Sequence, residues 1–418
     1  MTGSLSPRAL LGIRDFRMLW AGQVVSSFGD ALTNLALLLT AQRLTGSTSA
    51  VAATAIAIAV PQLTFGLLAG VYVDRWDRKK VMVISDIVRA VLVLGFLLVS
   101  SADQMWLLYV VAFLQASIGT FFLPARTAMM PTVVPADGLL GANSLSEMSR
   151  IVAGVAGTAA AGLIAGVAGS ISPVFWIDAV TFLVSAAAVA RITVDASPPA
   201  TSEQPAVVQE LREGLGFVRR SRLLLGVLTG GGVVMLGLGA VNVLLVPFVI
   251  DDLAIDEAWF GALELAQVSS MVAAGALLAV LAGRVKPTYV ISTGMMAVGA
   301  VVAAMALVGN VWHLILLMFA VGWVITPLQA SVQTIVQRTV PGDKLGRVGA
   351  VLSTVMTATG VVSMAAAGVV AGAIGVRSVF ALAGAIAVAA GIATAAVFRG
   401  VALPEPPAIE PEPEPALA

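Results

Sequence analysis

An aspartate stands near the middle of the first long apolar segment, where a charged side chain is unusual. Asp30 shares one helical stripe with Gln23, with Ser26 or Ser27, and with Asn34. A carboxylate at the centre of a membrane span costs ~3 kcal/mol on insertion scales, so it is expected to face water or a partner. A carboxyl group in that place can take up and release protons. Asp30 is therefore a candidate proton-coupling residue, and a permanently hydrogen-bonded structural carboxylate is the alternative.

Other charged residues inside apolar segments have the spacing of neighbours on a helix. Glu147 and Arg150 are three residues apart, as are Asp86 and Arg89, so each pair can meet along one face. Arg126 lies at the end of a further apolar segment. We predict one charged network that a gate could rearrange, with static neutralisation of buried charge as the alternative. Glu147 is the second proton-coupling candidate.

Polar side chains in later segments could contact a substrate. Glu264 and Gln267 could line a cavity and attract cations, whereas Asp178 is expected to be exposed near the outer end of its segment. Amides on one stripe of a later segment suit hydrogen bonding to a polar substrate or to another helix. The predicted substrate-binding residues are Gln23, Asn34, Glu264, Gln267, Gln329 and Gln333.

The sequence offers little for other kinds of chemistry. It contains no cysteine and a single histidine, His313, so a zinc site is not expected. A phosphate-binding loop of the Walker type is absent, which argues against ATP hydrolysis by this chain. Neither a nucleophile triad nor a basic face for nucleic acid is evident. We therefore predict no enzymatic activity, no metal, no cofactor and no nucleic-acid partner.

The sequence places these residues on membrane-spanning helices. Hydrophobic residues make up 59% of the 418 residues, and the mean hydropathy is +1.00. The excess falls in blocks of about 20 residues, the length of a bilayer-spanning helix. The sequence predicts an all-α membrane protein with twelve spans. These are 17–40, 50–73, 81–101, 104–130, 140–166, 172–191, 223–250, 258–283, 287–308, 311–337, 345–371 and 375–398.

The basic residues predict how these spans are oriented. Eighteen of the 23 Lys and Arg residues fall on the side of the termini, whereas only Arg43 and Arg377 fall on the other. Cytoplasmic loops carry an excess of Lys and Arg. We therefore expect a multi-pass protein of a bacterial inner membrane with both termini in the cytoplasm.

A polar interruption divides the spans into two groups of six. The predicted units are an N-terminal half (1–192), a cytoplasmic linker (193–222), a C-terminal half (223–399) and a disordered acidic, Pro-rich tail (400–418). The second part of the linker has one apolar helical face, which suits either a helix on the membrane surface or an ordinary connector. The sequence VPADGL at 134–139 recurs as VPGDKL at 340–345, which indicates an internal repeat of the halves.

Several motifs resemble those of one transporter family. The sequence GVYVDRWDRKK at 70–80 resembles the loop between helices 2 and 3 of major facilitator superfamily transporters, which usually have Gly where Asp77 stands. The sequences FRMLWAGQ at 16–23, SDIVRA at 85–90 and PAR at 124–126 are similar to the branch that contains macrolide efflux pumps, the enterobactin exporter and mycobacterial multidrug pumps. The resemblance implies two six-helix halves around a substrate cavity.

The resemblance also implies a cytoplasmic gate. In the superfamily, the loop aspartate matched by Asp74 contacts the start of helix 11 in the outward-facing state. We therefore expect Asp74 to contact the N-terminus of span 11 and Arg347, because a helix N-terminus attracts a carboxylate. The predicted gating residues are Gly70, Asp74, Arg75, Arg78, Asp86, Arg89, Arg126, Arg150 and Arg347.

Together these observations predict a secondary exporter of amphipathic small molecules that works by alternating access and proton antiport. Drugs or siderophore-like compounds are the cargo that the resemblance implies. The predicted partners are a small-molecule substrate, protons and the lipid bilayer, with the chain as a monomer. A lysophospholipid flippase of the same fold and a membrane receptor or scaffold without transport remain alternatives.

Overall fold

A computed structural model describes residues 6–73, 75–194, 207–280, 285–341, 344–399 and 401. Within these ranges there is no β-strand, and twelve helices are long and apolar enough to cross a membrane, which confirms the predicted fold class. They are α1 (Arg14–Thr45), α2 (Thr48–Val73), α3 (Arg78–Leu94), α4 (Met105–Val133), α5 (Leu139–Ala168), α6 (Ser172–Ala190), α7 (Arg222–Pro247), α8 (Phe260–Val280), α9 (Pro287–Ala304), α10 (Val311–Thr339), α11 (Leu345–Ile374) and α12 (Val376–Phe398). A linker helix (Val207–Arg220) precedes α7.

Local sequence sets several of the helix ends. The Asp77 side chain caps α3 by accepting a hydrogen bond from the Lys80 backbone N–H at 3.1 Å. The residue that departs from the family pattern therefore has a structural task here. At the other end of the bundle, α1 stops at Gly46, whose φ of +56° is the left-handed conformation that glycine tolerates best.

The sequence repeat begins at matching helix ends. Val134 follows α4 and Val340 follows α10, and both have extended backbone conformations. Their N–H groups bond back to Met130 at 3.2 Å and to Val336 at 3.0 Å. The next spanning helix begins five residues later in both places, which matches the sequence repeat.

The first six spanning helices pack mainly against one another, as do the last six. Small residues permit close helix contacts in lipid. On α5, a side chain at Gly157 would collide with the Phe28 carbonyl of α1. Large apolar side chains such as Val167 and Leu307, each 85% exposed, cover the outside of the bundle, as expected for a surface that faces lipid.

The two groups of helices are joined at one end of the bundle. We call the end that carries the linker helix the linker end, and the opposite one the far end. At the far end, Arg43 of α1 forms an ion pair with Glu257 at 2.5 Å, and Gln42 donates to Asp251. The hydroxyl of Ser49 donates to the Gly368 carbonyl of α11 at 2.9 Å. These contacts hold the far ends of the two groups together.

Candidate functional site

A cavity of about 410 Å³ lies among the first five spanning helices. It extends from Leu37 and Ile58, toward the far end, to Arg126 and Arg150, toward the linker end. Its polar lining comes from α1 to α5 and comprises Gln23, Ser26, Ser27, Asp30, Thr33, Asn34, Gln62, Arg89, Gln115, Thr120, Arg126 and Arg150. The predicted stripe of α1 therefore faces a cavity, and a substrate cavity between the halves stays a prediction.

An ion pair lies in the wall of this cavity. Asp30 of α1 pairs with Arg89 of α3, and the guanidinium of Arg89 lies 4.1 Å from the ring centroid of Phe182 on α6. The Asp30 side chain is 37% exposed and that of Arg89 is 9% exposed. Asp30 therefore faces both a partner and the cavity, as expected for a carboxylate in the middle of a span. Asp30 lies on α1 at the same depth as Arg89, and Arg89 pairs with it rather than with Asp86 on its own helix. The predicted Asp86–Arg89 pair is therefore not formed.

Asp178 of α6 is fully buried, so the prediction that it is exposed is also wrong. Its carboxylate contacts the hydroxyl of Thr33 at 2.5 Å and that of Thr181 at 3.0 Å. A methyl group at Gly29 would collide with this carboxylate, so the glycine permits α1 and α6 to approach there. The long α1 covers the part of α6 that hydropathy alone placed near the surface.

Asp86 of α3 is fully buried as well. Within the described ranges, neither of its carboxylate oxygens makes a hydrogen bond of ordinary geometry. Ser185 of α6, also fully buried, lies beside it, and Arg89 and Asp30 are close enough to act on it electrostatically. The carboxyl groups of Asp30, Asp86 and Asp178, on α1, α3 and α6, are thus all close enough to interact electrostatically with the guanidinium of Arg89.

A second charged cluster lies nearer the linker end. The predicted Glu147–Arg150 pair is confirmed, at 2.5 Å on α5, and both side chains are about half exposed. Arg126 of α4 is 8% exposed and interacts electrostatically with both of them. Arg126 and Arg150 line the cavity, and Glu147 does not. The single predicted network is therefore two clusters at different depths.

The remaining gating candidates lie around the linker end. Gly70 is in α2, whereas Asp74 and its predicted contact with α11 lie outside the described residues. Arg75 is exposed in the turn that follows, and Arg78 begins α3. Arg347 of α11 donates a hydrogen bond to Glu213 of the linker helix at 2.6 Å. The linker helix is thereby tied to the start of α11.

The substrate-binding candidates of the second half do not line this cavity. Glu264 and Gln267 are partly buried on α8, and Gln329 and Gln333 are exposed on α10. The sequence could not place them because their distance from α1 depends on how the two halves are arranged. Their role in substrate binding stays a prediction.

Two amide side chains of the cavity were missed by sequence reasoning, as were the hydroxyls of Thr33 and Thr120. Gln115 of α4 is 6% exposed, and its side-chain oxygen has no hydrogen-bond partner in the part of the chain that is described; Gln62 of α2 also lines the cavity. The side-chain oxygen of Gln23 is unpartnered in the same way. Each of Gln62 and Gln115 is an amide within an otherwise apolar segment, in α2 and α4, and that pattern could have identified them from the sequence.

Comparison with known proteins agrees with this architecture. The family model described as "Transmembrane secretion effector" matches residues 3–416. An uncharacterized MFS-type transporter, YfiS of Bacillus subtilis, is 31% identical over 395 residues, covering 90% of this chain and 91% of that protein. Macrolide efflux protein A of Streptococcus pyogenes is 26% identical over 379 residues, covering 89% and 93%.

The same fold is found among solved structures. The crystal structure of nucleoside transporter NupG superposes with a TM-score of 0.73 at 12% identity, covering 92% of this chain and 99% of that one. Together with the twelve helices, these matches make the protein a multi-pass membrane transporter of small molecules rather than an enzyme. The chain belongs to the transmembrane secretion effector family of the major facilitator superfamily.

Proposed function

We propose that this protein exports amphipathic small molecules from a bacterial cell by proton antiport and alternating access. The observation that carries the proposal is a polar cavity with an ion pair, Asp30–Arg89, inside a membrane-spanning bundle. Ionisable groups at that depth usually serve ion or substrate pathways. The export direction is supported by the match to macrolide efflux protein A along most of the chain.

The linker end faces the cytoplasm of the inner membrane in this proposal, because Lys and Arg concentrate there. The far ends of the two halves are joined in the state described, and the cavity extends toward the linker end. Substrate is therefore captured from the cytoplasmic side. Release requires the contacts at the far end to part.

The coupling chemistry begins at Asp30. Its carboxylate is accessible from the cavity and neutralised by Arg89. A proton or a cationic substrate that reaches Asp30 competes with Arg89 for it, and the freed guanidinium then needs another anion. Glu147, paired with Arg150 near Arg126, is a second place where a proton could act on the cavity wall.

The moving parts are the two six-helix halves, residues 1–192 and 223–399, which the linker lets rock against each other as one monomeric chain. The gate at the linker end uses the loop after α2, with Asp74 acting on the start of α11 near Arg347. Gly70, Arg75 and Arg78 support that loop. No nucleic-acid partner is required.

Transport by the purified protein in proteoliposomes tests the proposal. A pH gradient is imposed, and a panel of drugs, siderophores and lysolipids is measured with and without an uncoupler. We expect accumulation of one or more of the soluble amphipaths against their gradient, abolished by the uncoupler. Lysolipid transfer alone, without competition from drugs or siderophores, would contradict export of soluble cargo.

An apolar groove keeps lysophospholipid flipping as a second candidate function. This groove, of about 570 Å³, lies between α1 and α5 and is lined by Trp20, Val24, Phe28, Met148 and Val152 among others. Its size and apolar walls suit an acyl chain, while the polar cavity beside it would take a head group. Replacing Val152 by a larger Trp should then impair lysolipid transfer and leave drug export unchanged.

A further inference from the structure

We propose that Asp86 and Asp178 form a proton-binding site behind the cavity, and that each carries a proton in the state described. The inference rests on the proposed proton antiport, and it assigns the bound protons to two residues that do not line the cavity. The ligand is the proton itself, held by carboxyl groups on α3 and α6.

Burial is the first argument. Both side chains are fully buried, and the polar groups near them are mainly hydroxyls. Asp178 contacts Thr33 and Thr181, and Asp86 lies beside Ser185 without a hydrogen bond of ordinary geometry to any described residue. A carboxylate buried without a cation or several donors is costly, and binding a proton removes that cost.

The count of charges is the second argument. The charged groups that act on Asp86 and Asp178 are Asp30 of α1 and Arg89 of α3. Arg89 already forms an ion pair with Asp30, and these two charges cancel. If Asp86 and Asp178 were both ionised, two further negative charges would lie in the bundle without a cation of their own. The neutral, protonated forms avoid this.

The hydroxyl of Thr181 gives a third, independent argument. Its oxygen lies 2.8 Å from the Asp178 backbone carbonyl and 3.0 Å from a carboxylate oxygen of the same residue. A hydroxyl has one hydrogen to donate. When that hydrogen goes to the carbonyl, as is common for threonine in a helix, the contact with the carboxylate needs a hydrogen on Asp178. A proton on Asp178 therefore satisfies both contacts.

Arg89 connects this site to the cavity. With Asp86 and Asp178 protonated, Arg89 pairs with Asp30, as observed. When either buried carboxyl releases its proton, the new carboxylate attracts Arg89, and Asp30 is left open to a cationic substrate or to the next proton. The proton that leaves one buried carboxyl on one side of the membrane is replaced by one taken up from the other side, so charge balances over the cycle.

Infrared spectroscopy of the full-length protein in lipid nanodiscs tests the site directly. A protonated carboxyl group has a C=O stretching band distinct from that of a carboxylate, and the band shifts in heavy water. We expect such bands at neutral pH in the wild type. One component should be lost in Asp86→Asn and another in Asp178→Asn, while Asp103→Asn, which changes an exposed carboxyl group, keeps both.

Wild-type spectra without protonated carboxyl bands at neutral pH would overturn the proposal, as would bands that both variants leave unchanged. If one variant fails to fold, the wild type and the other variant still decide: absent bands in the wild type overturn the proposal, and a component lost in the folded variant supports it. Proton-driven transport measured on the same preparations separates this inference from the proposed function. Coupled transport without the bands removes the site and leaves antiport standing, whereas the bands without coupled transport support the site and remove antiport.

Discussion

The first six spanning helices and the last six differ in where their charged residues lie. In the first half, Asp30, Asp86, Arg89 and Asp178 lie close to one another among α1, α3 and α6. In the described helices of the second half, every charged residue lies within five residues of a helix end, including Glu264. The helix ends at Val134 and Val340 have matching backbone conformations. Helix geometry alone therefore does not explain why charged residues are buried in the first half and not in the described helices of the second.

This comparison suggests a division of work between the halves. Buried charge is expensive, so a cluster of it within one half indicates a specific use there. The second half then provides packing surfaces and exposed amides, such as Gln333 on α10, against which the first half can move. Variants matched between the halves test this view.

Neutralising one carboxyl group in each half should give the strongest contrast in transport. Asp30→Asn should abolish proton-driven accumulation in proteoliposomes, because an amide keeps the shape of the side chain but cannot cycle a proton or hold Arg89 by charge. Glu264→Gln is the matched change in the second half, and accumulation of neutral substrates should continue. If the Asp30 variant accumulates substrate at the normal rate, coupling lies elsewhere. Equal loss in both variants would remove the division between the halves.

A second test concerns packing at the buried carboxyl of α6. Gly29→Ala places a methyl group against Asp178 and Thr181, and such overpacking typically costs about 1–3 kcal/mol. Gly154→Ala, on α5, is the control, since a methyl group there meets no atom within 4 Å. Unfolding in detergent, followed by circular dichroism, should show the first variant destabilised and the second unchanged or slightly more stable.

The same glycine can be compared with one in the second half. Gly322→Ala would press against Ser270 and the Gln267 carbonyl, so it should also destabilise the protein. Only Gly29→Ala is expected to alter proton coupling of the folded fraction as well. Altered coupling in both variants would mean that the second half shares the proton chemistry.

Much of the fold could be predicted from the sequence because apolar segments of bilayer length have few alternatives. Contacts within one helix were partly accessible: the spacing of Glu147 and Arg150 predicted that pair, whereas Asp86 and Arg89 have the same spacing and Arg89 pairs with Asp30 instead. Contacts between helices were not. The pairing of Asp30 with Arg89 and the burial of Asp178 depend on which helices become neighbours and at what depth, and helical spacing carries no information about either.

A smaller effect is expected from the amides of the second half. Gln333→Ala should weaken substrate binding by about 1 kcal/mol, the scale of one lost hydrogen bond, and unequally across substrates. Gln23→Ala is the counterpart in the first half, at the wall of the cavity. Equilibrium binding of a transported drug measures both. An unchanged affinity in Gln333→Ala would leave α10 outside the binding site.

The smallest expected effect lies where the halves meet at the far end. Arg43 of α1 forms an ion pair with Glu257 at 2.5 Å and donates to the Ala165 carbonyl at 2.8 Å, so it joins the two halves. Arg377 forms a similar pair with Asp252 at 2.6 Å, but entirely within the second half. Partly exposed ion pairs contribute ~0.2–1 kcal/mol. Arg43→Gln should therefore raise the population with an open far end by roughly 1.4- to 5-fold.

Arg377→Gln removes a comparable charge at the same end and should leave that population unchanged, because its partner moves with it. Spin labels on Ser47 and Ala373, at the far ends of α2 and α11, report the separation of the halves through their distance distribution. The ratio of long to short distances should rise in Arg43→Gln alone. A rise of equal size in both variants would mean that charge at the far end matters rather than the bond between halves, and the Arg43–Glu257 pair would then have no special part in opening.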